Sequence, residues 1–263
     1  ISTLRCKMNQ DERRLYLIEE LLKEDGAYAK VPKDAEGQRK LLRGLMNVRE
    51  AKLVSCEFLR VQDDYLKEAI RQKGITHVSD LTPVQEGLYI WQGDITTIDA
   101  DAITNAANSG MTGCYMPNHN CIDNAIHTYA GVELRQECQR IMDAQGYPEP
   151  TGLAKITPAY NLPSKFIIHT VGPVVSGPLT NQHQAQLRQS YQSVLTLAAK
   201  HELESVALCC ISTGVFGFPN QRAAEIAIEE SQAFLARQTS VKKIIFNVFK
   251  DLDLMLYEDL LDV

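Results

Sequence analysis

Three side chains that ligate metals crowd into one short stretch, "TGCYMPNHNCIDNAIH" at 112–127: Cys114, His119 and Cys121. Zinc takes cysteine sulfur and histidine nitrogen, and catalytic zinc sites use three protein ligands with the fourth position open. Pro117 and Asn118 are turn formers that let the intervening chain fold back on itself. The spacing is not that of a zinc finger, in which two ligand pairs flank a longer insert. Asp123 and His127 follow four residues apart and offer a fourth ligand or an acid–base group. The competing readings are thiol chemistry, a disulfide and a plain helix start. The pair lacks C-x-x-C redox spacing, and no separate His/Asn pairing stands out for a thiol protease. Spacing alone leaves zinc and its rivals open.

Two further stretches have ligand-binding character. "NAAN" (105–108) ends a β-rich run, and Asn105 and Asn108 each carry donors and an acceptor suited to hydroxyls or an amide. The alternative is a turn held by Asx hydrogen bonds. "STGVFGFP" (212–219) follows a second β-rich run and precedes a helix. Ser212, Gly214 and Gly217 let the backbone approach a ligand closely, and the helix N-terminus supplies N–H groups and a positive dipole end. This fits a diphosphate cradle, although it is neither G-x-G-x-x-G nor a lysine-bearing Walker loop. Gly93-Asp94 reads as a turn by itself, and His169 inside "FIIHTVGP" reads as a core residue.

The elements that must position these residues come from periodicity. Short β-rich runs at 88–92, 101–107, 154–160, 166–172, 205–212 and 241–249 alternate with helical patterns at roughly 121–143, 182–200 and 220–238. Alternation of this kind predicts an α/β/α sandwich, with ligands at the carboxyl ends of the strands. Residues 11–85 read as helices, with apolar stripes Leu15/Ile18/Leu22, Leu41/Leu45/Val48 and Val54/Phe58/Val61/Tyr65. A polar break, "EDGAYAKVPKDAEGQ", separates the first two. The expected division is a helical extension over 1–85, to which no chemistry is assigned, and a main α/β domain over 86–263.

Composition narrows the partners. The net charge is −6 with acidic residues gathered at both ends, which argues against a polyanion such as nucleic acid. A single phosphorylated ligand stays compatible, because backbone N–H groups bind phosphate without net positive charge. The chain carries no apolar run of membrane-spanning length and opens with no secretory leader pattern, so no membrane role and a cytoplasmic location are expected. Seven cysteines (Cys6, Cys56, Cys114, Cys121, Cys138, Cys209 and Cys210) show no disulfide framework and, with the Cys114/Cys121 pair as the exception, are expected free.

Taken together, GDIT, NAAN, the Asp-bearing helix start, HTVGP and STGVFGFP resemble the macrodomain family of ADP-ribose-binding and ADP-ribose-hydrolysing proteins, over roughly residues 86–262. The hydrolytic branch usually follows NAAN with a glycine-rich loop. Here "GCYMPNHNC" replaces it, as in the microbial zinc-containing subclass, whose helical N-terminal extension matches residues 1–85. The resemblance implies a three-layer α/β/α sandwich with a mixed sheet. It implies that Cys114, His119 and Cys121 hold Zn2+ beside the distal ribose. Asp94 would accept from the adenine amino group with the Ile95 backbone beside it, and Phe249 would stack on adenine. Ser212, Thr213, Gly214, Val215 and Phe216 would wrap the diphosphate, with Phe216 against the distal ribose. Asn108 and Asp123 would be the catalytic pair, Asn108 contacting the distal ribose and Asp123 acting as base or water-positioner, and Ile122 would line the site. His127 is left outside the ligand set.

The activity so implied is hydrolysis of mono-ADP-ribose from a protein side chain, with an Asp/Glu linkage favoured and the zinc acting as Lewis acid. A non-catalytic ADP-ribose reader, an O-acetyl-ADP-ribose deacetylase and a purely structural zinc loop are the rivals.

Overall fold

The computed structural model describes residues 8–26 and 30–263. Cys6 and residues 27–29 of the expected polar break lie outside the described residues. Three helices come first, α1 (Gln10–Asp25), α2 (Ala35–Val48) and α3 (Cys56–Lys73). Each starts on a side-chain cap: Asn9 with a reciprocal bond to Glu12, then Asp34 and Ser55. Their shared core holds Leu17, Ile18, Leu42, Phe58, Val61 and Leu66. Ile70, at the end of α3, already belongs to the larger core of the sheet.

Six strands follow: β1 (Leu88–Gln92), β2 (Ala102–Ala106), β3 (Ala154–Pro158), β4 (Phe166–Thr170), β5 (Ser205–Leu208) and β6 (Lys243–Val248). They form one mixed sheet in the order β1-β6-β5-β2-β4-β3. All neighbours are parallel except the edge pair β3–β4. The inner strands are almost wholly buried, as expected for a sheet covered on both faces. One layer is built by α6 (Asn181–Lys200), α7 (Asn220–Leu235) and α8 (Asp251–Leu261), which contact one another in turn. The other holds α4 (Ile122–Ala130) and α5 (Val132–Gln145), with α2 and α3 packed against α4. The expected α/β/α sandwich is therefore the architecture. Its consequence for function is simple: β1, β2, β4, β5 and β6 run the same way, so the segments after them emerge along one edge of the sheet.

Two helical expectations need correction, and one helix has no counterpart among the expectations. The pattern over 121–143 is two helices broken at Gly131, whose φ of +105° is glycine territory. A Cβ there would lie 2.7 Å from Gln62 Nε2, and the same side chain's Oε1 accepts from Val132 N–H at the start of α5. The cause of the break thus sits on α3. Helix α2 turns Leu42 and Met46 fully into the core, while Leu41 and Leu45 of the expected stripe pack against it half-buried and Val48 is exposed. The acidic C-terminal run forms α8, whose buried face is Asp253, Tyr257 and Leu261. That face hides from a periodicity search because one of its members is a carboxylate, to which Asn220 Nδ2 donates at 2.7 Å.

Candidate active site

The segment after β5 is held by main chain. Phe218 N–H donates to Ser212 C=O at 2.9 Å and Gly217 N–H to Gly214 C=O at 3.1 Å, which curls 212–218 into a compact loop. Val175 N–H donates to Phe216 C=O at 2.7 Å, tying it to the segment after β4. Gly217 sits at φ +69°, and a Cβ on it would meet Val175 O at 2.8 Å, so the two loops can join this closely only through glycine. Gly214 faces open space and Val215 is 81% exposed at the tip, while Phe216 is half-buried. Thr213 Oγ1 donates back to Cys210 C=O at 3.0 Å. Ser212 takes a left-handed φ of +65° and its hydroxyl is buried against Gly172, so its side chain points away from the crevice and what it offers the loop is backbone.

The segment after β2 is held by side chains. Asn108 is exposed, accepts from Gly110 N–H at 3.0 Å and donates to Gly113 C=O at 3.1 Å, so the Asx-type brace weighed above is present. Beyond it the chain turns through Asn118 at φ +56°. Cys114 Sγ and His119 Nδ1 come within 3.7 Å, and the donor atoms of Cys114, His119 and Cys121 all lie within 4.8 Å of one another. Zinc–sulfur and zinc–nitrogen bonds at a tetrahedral angle place S and N about 3.6 Å apart, so the donor set fits the ion in kind and in spacing. All three residues are half-buried. Burial pushes the Cys121 thiol up to about 11 in the metal-free protein, and an N–H from Asn124 at 3.4 Å opposes that.

Ile122 is half-buried at the start of α4, and beneath it Asp123 is 4% exposed, further inside than an open-crevice base would be. Asn105 Nδ2 donates to Asp123 Oδ1 at 2.8 Å and lies 3.1 Å from His169 Nδ1. His169 Nε2 lies 2.9 Å from Thr157 Oγ1. Burial raises Asp123 to about 6, against the Asn105 hydrogen bond and the Arg135 charge. Burial likewise drives His169 down to about 3 and His127 well below the ordinary imidazole value, so both rings are neutral at pH 7. His127 Nε2 is 3.5 Å from Asp123 Oδ1, while Gly113 at φ +94° packs against its ring. His127, Cys138 and His169 also cluster within 4.8 Å, but both nitrogens of His169 are already engaged, which leaves too few free donors for a second metal.

At the far end of the sheet edge, Asp94 Oδ1 accepts from Thr96 N–H and Oγ1–H, and Oδ2 accepts from Lys73 of α3 at 2.8 Å. Burial raises its carboxyl and these bonds more than offset it, so it stays ionised below the ordinary aspartate value. Ile95 is buried beside it, and Phe249 projects after β6 with 74% exposure. The expected site residues therefore line one sheet edge, except that the Ser212 and Asp123 side chains lie beneath its surface.

The fold gathers these segments along one edge of parallel strand ends, and residues 104–227 match the Macro domain family. The chain belongs to that family. It is 55% identical over 260 residues to a protein-ADP-ribose hydrolase of Treponema medium, covering 97% of this chain and 100% of that one. Among solved structures it is similar to the Oceanobacillus iheyensis macrodomain mutant G37V with ADPR, at 34% identity and TM-score 0.62, covering 69% of this chain and 96% of the other. It is also similar to a Trypanosoma brucei macrodomain in complex with ADP-ribose, at 27% identity and TM-score 0.64, covering 82% and 94%.

Several residues that shape the site carry no signal in the sequence. Asn124 is fully buried, donates to Met116 C=O at 2.9 Å and accepts from Arg43 of α2. Arg135 of α5 donates to Thr112 C=O at 2.8 Å and stacks 4.1 Å over the Tyr115 ring. Neither spacing nor periodicity marks them, because each depends on a partner far along the chain, Asn124 on Arg43 and Arg135 on Thr112.

Proposed function

We propose that the chain is a hydrolase that releases mono-ADP-ribose from modified protein side chains, with Asp/Glu-linked groups as the favoured substrate and Zn2+ as its cofactor. The observation that carries this reading is the convergence of Cys114, His119 and Cys121 beside a buried carboxylate, on the edge that also bears the 212–217 loop. A protein that only bound ADP-ribose needs neither the donor set nor the carboxylate.

In this reading Asp94 accepts from the adenine amino group through the lone pair that Lys73 and Thr96 leave to it, with the Ile95 backbone beside it and Phe249 stacked on the ring. Backbone amides of Ser212, Thr213, Gly214, Val215 and Phe216 surround the diphosphate, and Phe216 and Ile122 bound the distal ribose. Asn108 Oδ1 accepts from a ribose hydroxyl while its amide keeps the loop in place. Cys114, His119 and Cys121 hold the zinc, which when bound supplies Lewis acidity at the scissile linkage. Asp123, held by Asn105, orients water or takes its proton from below the loop. Residues 1–85 form the extension and 86–263 the ADP-ribose-binding unit. The charge of −6 supports a partner other than nucleic acid. Among the described residues no helix is long and apolar enough to cross a membrane, and the six described cysteines are free, which suits the cytoplasm.

The test is release of free ADP-ribose from a protein mono-ADP-ribosylated on acidic side chains, with zinc-loaded and chelator-stripped chain in parallel. Zinc-dependent release is expected. Tight ADP-ribose binding without release from acidic, serine or arginine linkages identifies a reader, and cleavage of O-acetyl-ADP-ribose alone identifies the deacetylase.

A further inference from the structure

The N-terminal helices carry no expected chemistry, yet one of them reaches the loop that bears the donor set. We propose that helix α2 fixes that loop from outside, with Arg43 and Asn47 as positioning residues that set where His119 sits. This rests on the reading of Cys114, His119 and Cys121 as metal ligands.

The contacts are specific. Arg43 Nη2 donates to His119 C=O at 3.1 Å and, with Nε, to Asn124 Oδ1 at 2.8 and 3.1 Å. Asn124 in turn ties down Met116 C=O, and its N–H points at Cys121 Sγ. One guanidinium thus grips the His119 backbone directly and the residues on either side of it through Asn124. Asn47 is 1% exposed; its Oδ1 accepts from Asn118 N–H at 2.9 Å and its Nδ2 donates to Thr128 of α4 at 3.0 Å. Asn118 is the left-handed turn immediately before His119, so this bond sets the direction in which the chain enters the ligand. Gly44, between the two, allows the approach: a Cβ there would lie 3.2 Å from Asn118 Nδ2.

The bonds are distributed unevenly along the loop. Its start is held by the macrodomain's own residues, Asn108 on Gly113 and Arg135 on Thr112. Between Cys114 and Cys121, α2 holds Asn118 and His119, and Asn124, itself gripped by Arg43, holds Met116. Without α2 the piece carrying His119 would keep, among the described residues, only that last tether, its own turn bond from His119 N–H to Met116 C=O and the contact of its ring with Cys114 Sγ. Groups that orient a metal ligand without touching the ion typically change metal affinity about 10–100-fold when removed.

The experiment uses the full chain as wild type, Arg43→Ala and Arg43→Lys. It reads zinc release to a chromophoric chelator, amide exchange across 112–121, ADP-ribose affinity by calorimetry and the unfolding midpoint. Arg43→Ala is expected to release zinc about 10–100-fold faster and to lose exchange protection at 118–121. Its ADP-ribose affinity should stay within about threefold, since a residue outside the ligand's contacts costs little. Arg43→Lys is expected to recover only part of the effect, because an ammonium is a point charge without the fork that spans both acceptors. Wild-type zinc release together with wild-type exchange in Arg43→Ala overturns the proposal. So does a loss of both that merely tracks a lowered unfolding midpoint. If the wild type takes up no zinc, the metal reading fails on its own, and exchange at 118–121 in Arg43→Ala still decides whether α2 fixes the loop.

Discussion

Two loops leave neighbouring parallel strands at the same sheet edge and are held in opposite ways. The loop after β5 is shaped by its own main chain, through bonds from Phe218 to Ser212, Gly217 to Gly214 and Val175 to Phe216. The loop after β2 is shaped by side chains reaching in from elsewhere: Asn47 and Arg43 from α2, Asn124 from α4 and Arg135 from α5. In the proposed reading, the difference follows from what each loop would have to present. A diphosphate cradle presents N–H groups, so a backbone curl that aims them is sufficient. A metal set presents side chains, and these converge only when the backbone beneath them is fixed from outside. The first loop should therefore fail through its glycines and the second through its ligands and supports.

The largest effect belongs to the second loop. Cys114→Ala should lower turnover on the order of a hundredfold to a thousandfold, the scale of losing a group that stabilises charge in the transition state. ADP-ribose affinity should hold within a few-fold, because the cradle is left untouched. Retained turnover in zinc-free C114A protein would sink the metal mechanism. A parallel loss of ADP-ribose binding would show that the two loops are not independent.

Gly217→Ala is the matching break in the first loop. A Cβ 2.8 Å from Val175 O, at a φ of +69°, forces the cradle apart from the segment after β4. Backbone strain of this kind is worth about 1–3 kcal/mol, so ADP-ribose affinity should fall about tenfold or more while zinc uptake is unchanged. Calorimetry and metal analysis on the same preparation check both halves.

A third change lies outside either loop and separates local from global loss. Asp101 accepts from Lys165 Nζ and from the N–H groups of Glu204 and Ser205. Burial raises its carboxyl, and those donors more than offset it, so its folded pKa lies below the ordinary value. A depressed carboxylate contributes stability above its unfolded pKa of about 4 and loses it as pH falls through the folded value. Asp101→Asn should accordingly cost about 1–2 kcal/mol at pH 7 and progressively less below about pH 4. Melting curves at pH 7 and pH 3 test it, and neither loop's ligand should respond beyond the change in folded fraction. Val215→Ala is the smallest effect. It trims an exposed tip that contributes backbone, so stability should move by less than about 0.5 kcal/mol and ADP-ribose affinity by less than about threefold.

Much of this molecule is legible without coordinates. Six strands and the helical patterns at 182–200 and 220–238 follow from β-branched runs alternating with periodic ones, and glycine-bearing turns after strands mark where a ligand is expected. The three candidate metal ligands lie within eight residues of one another, so their convergence needs one local turn. Other features were misread or invisible for one shared reason. The helix break at Gly131 depends on Gln62, and the buried face of α8 depends on Asn220 pairing with Asp253.

By itself, then, the sequence determined element types, the strand-end location of the site and the chemistry of the donor set, because each depends on residues near one another in the chain. Tertiary structure alone decided that Asp123 lies buried beneath the loop, that Asp94 is shared with Lys73, and that α2 grips the segment carrying His119. Those outcomes rest on bonds spanning from about twenty residues to more than seventy. A side chain's partner at that range is chosen by packing, and nothing in its local spacing records the choice.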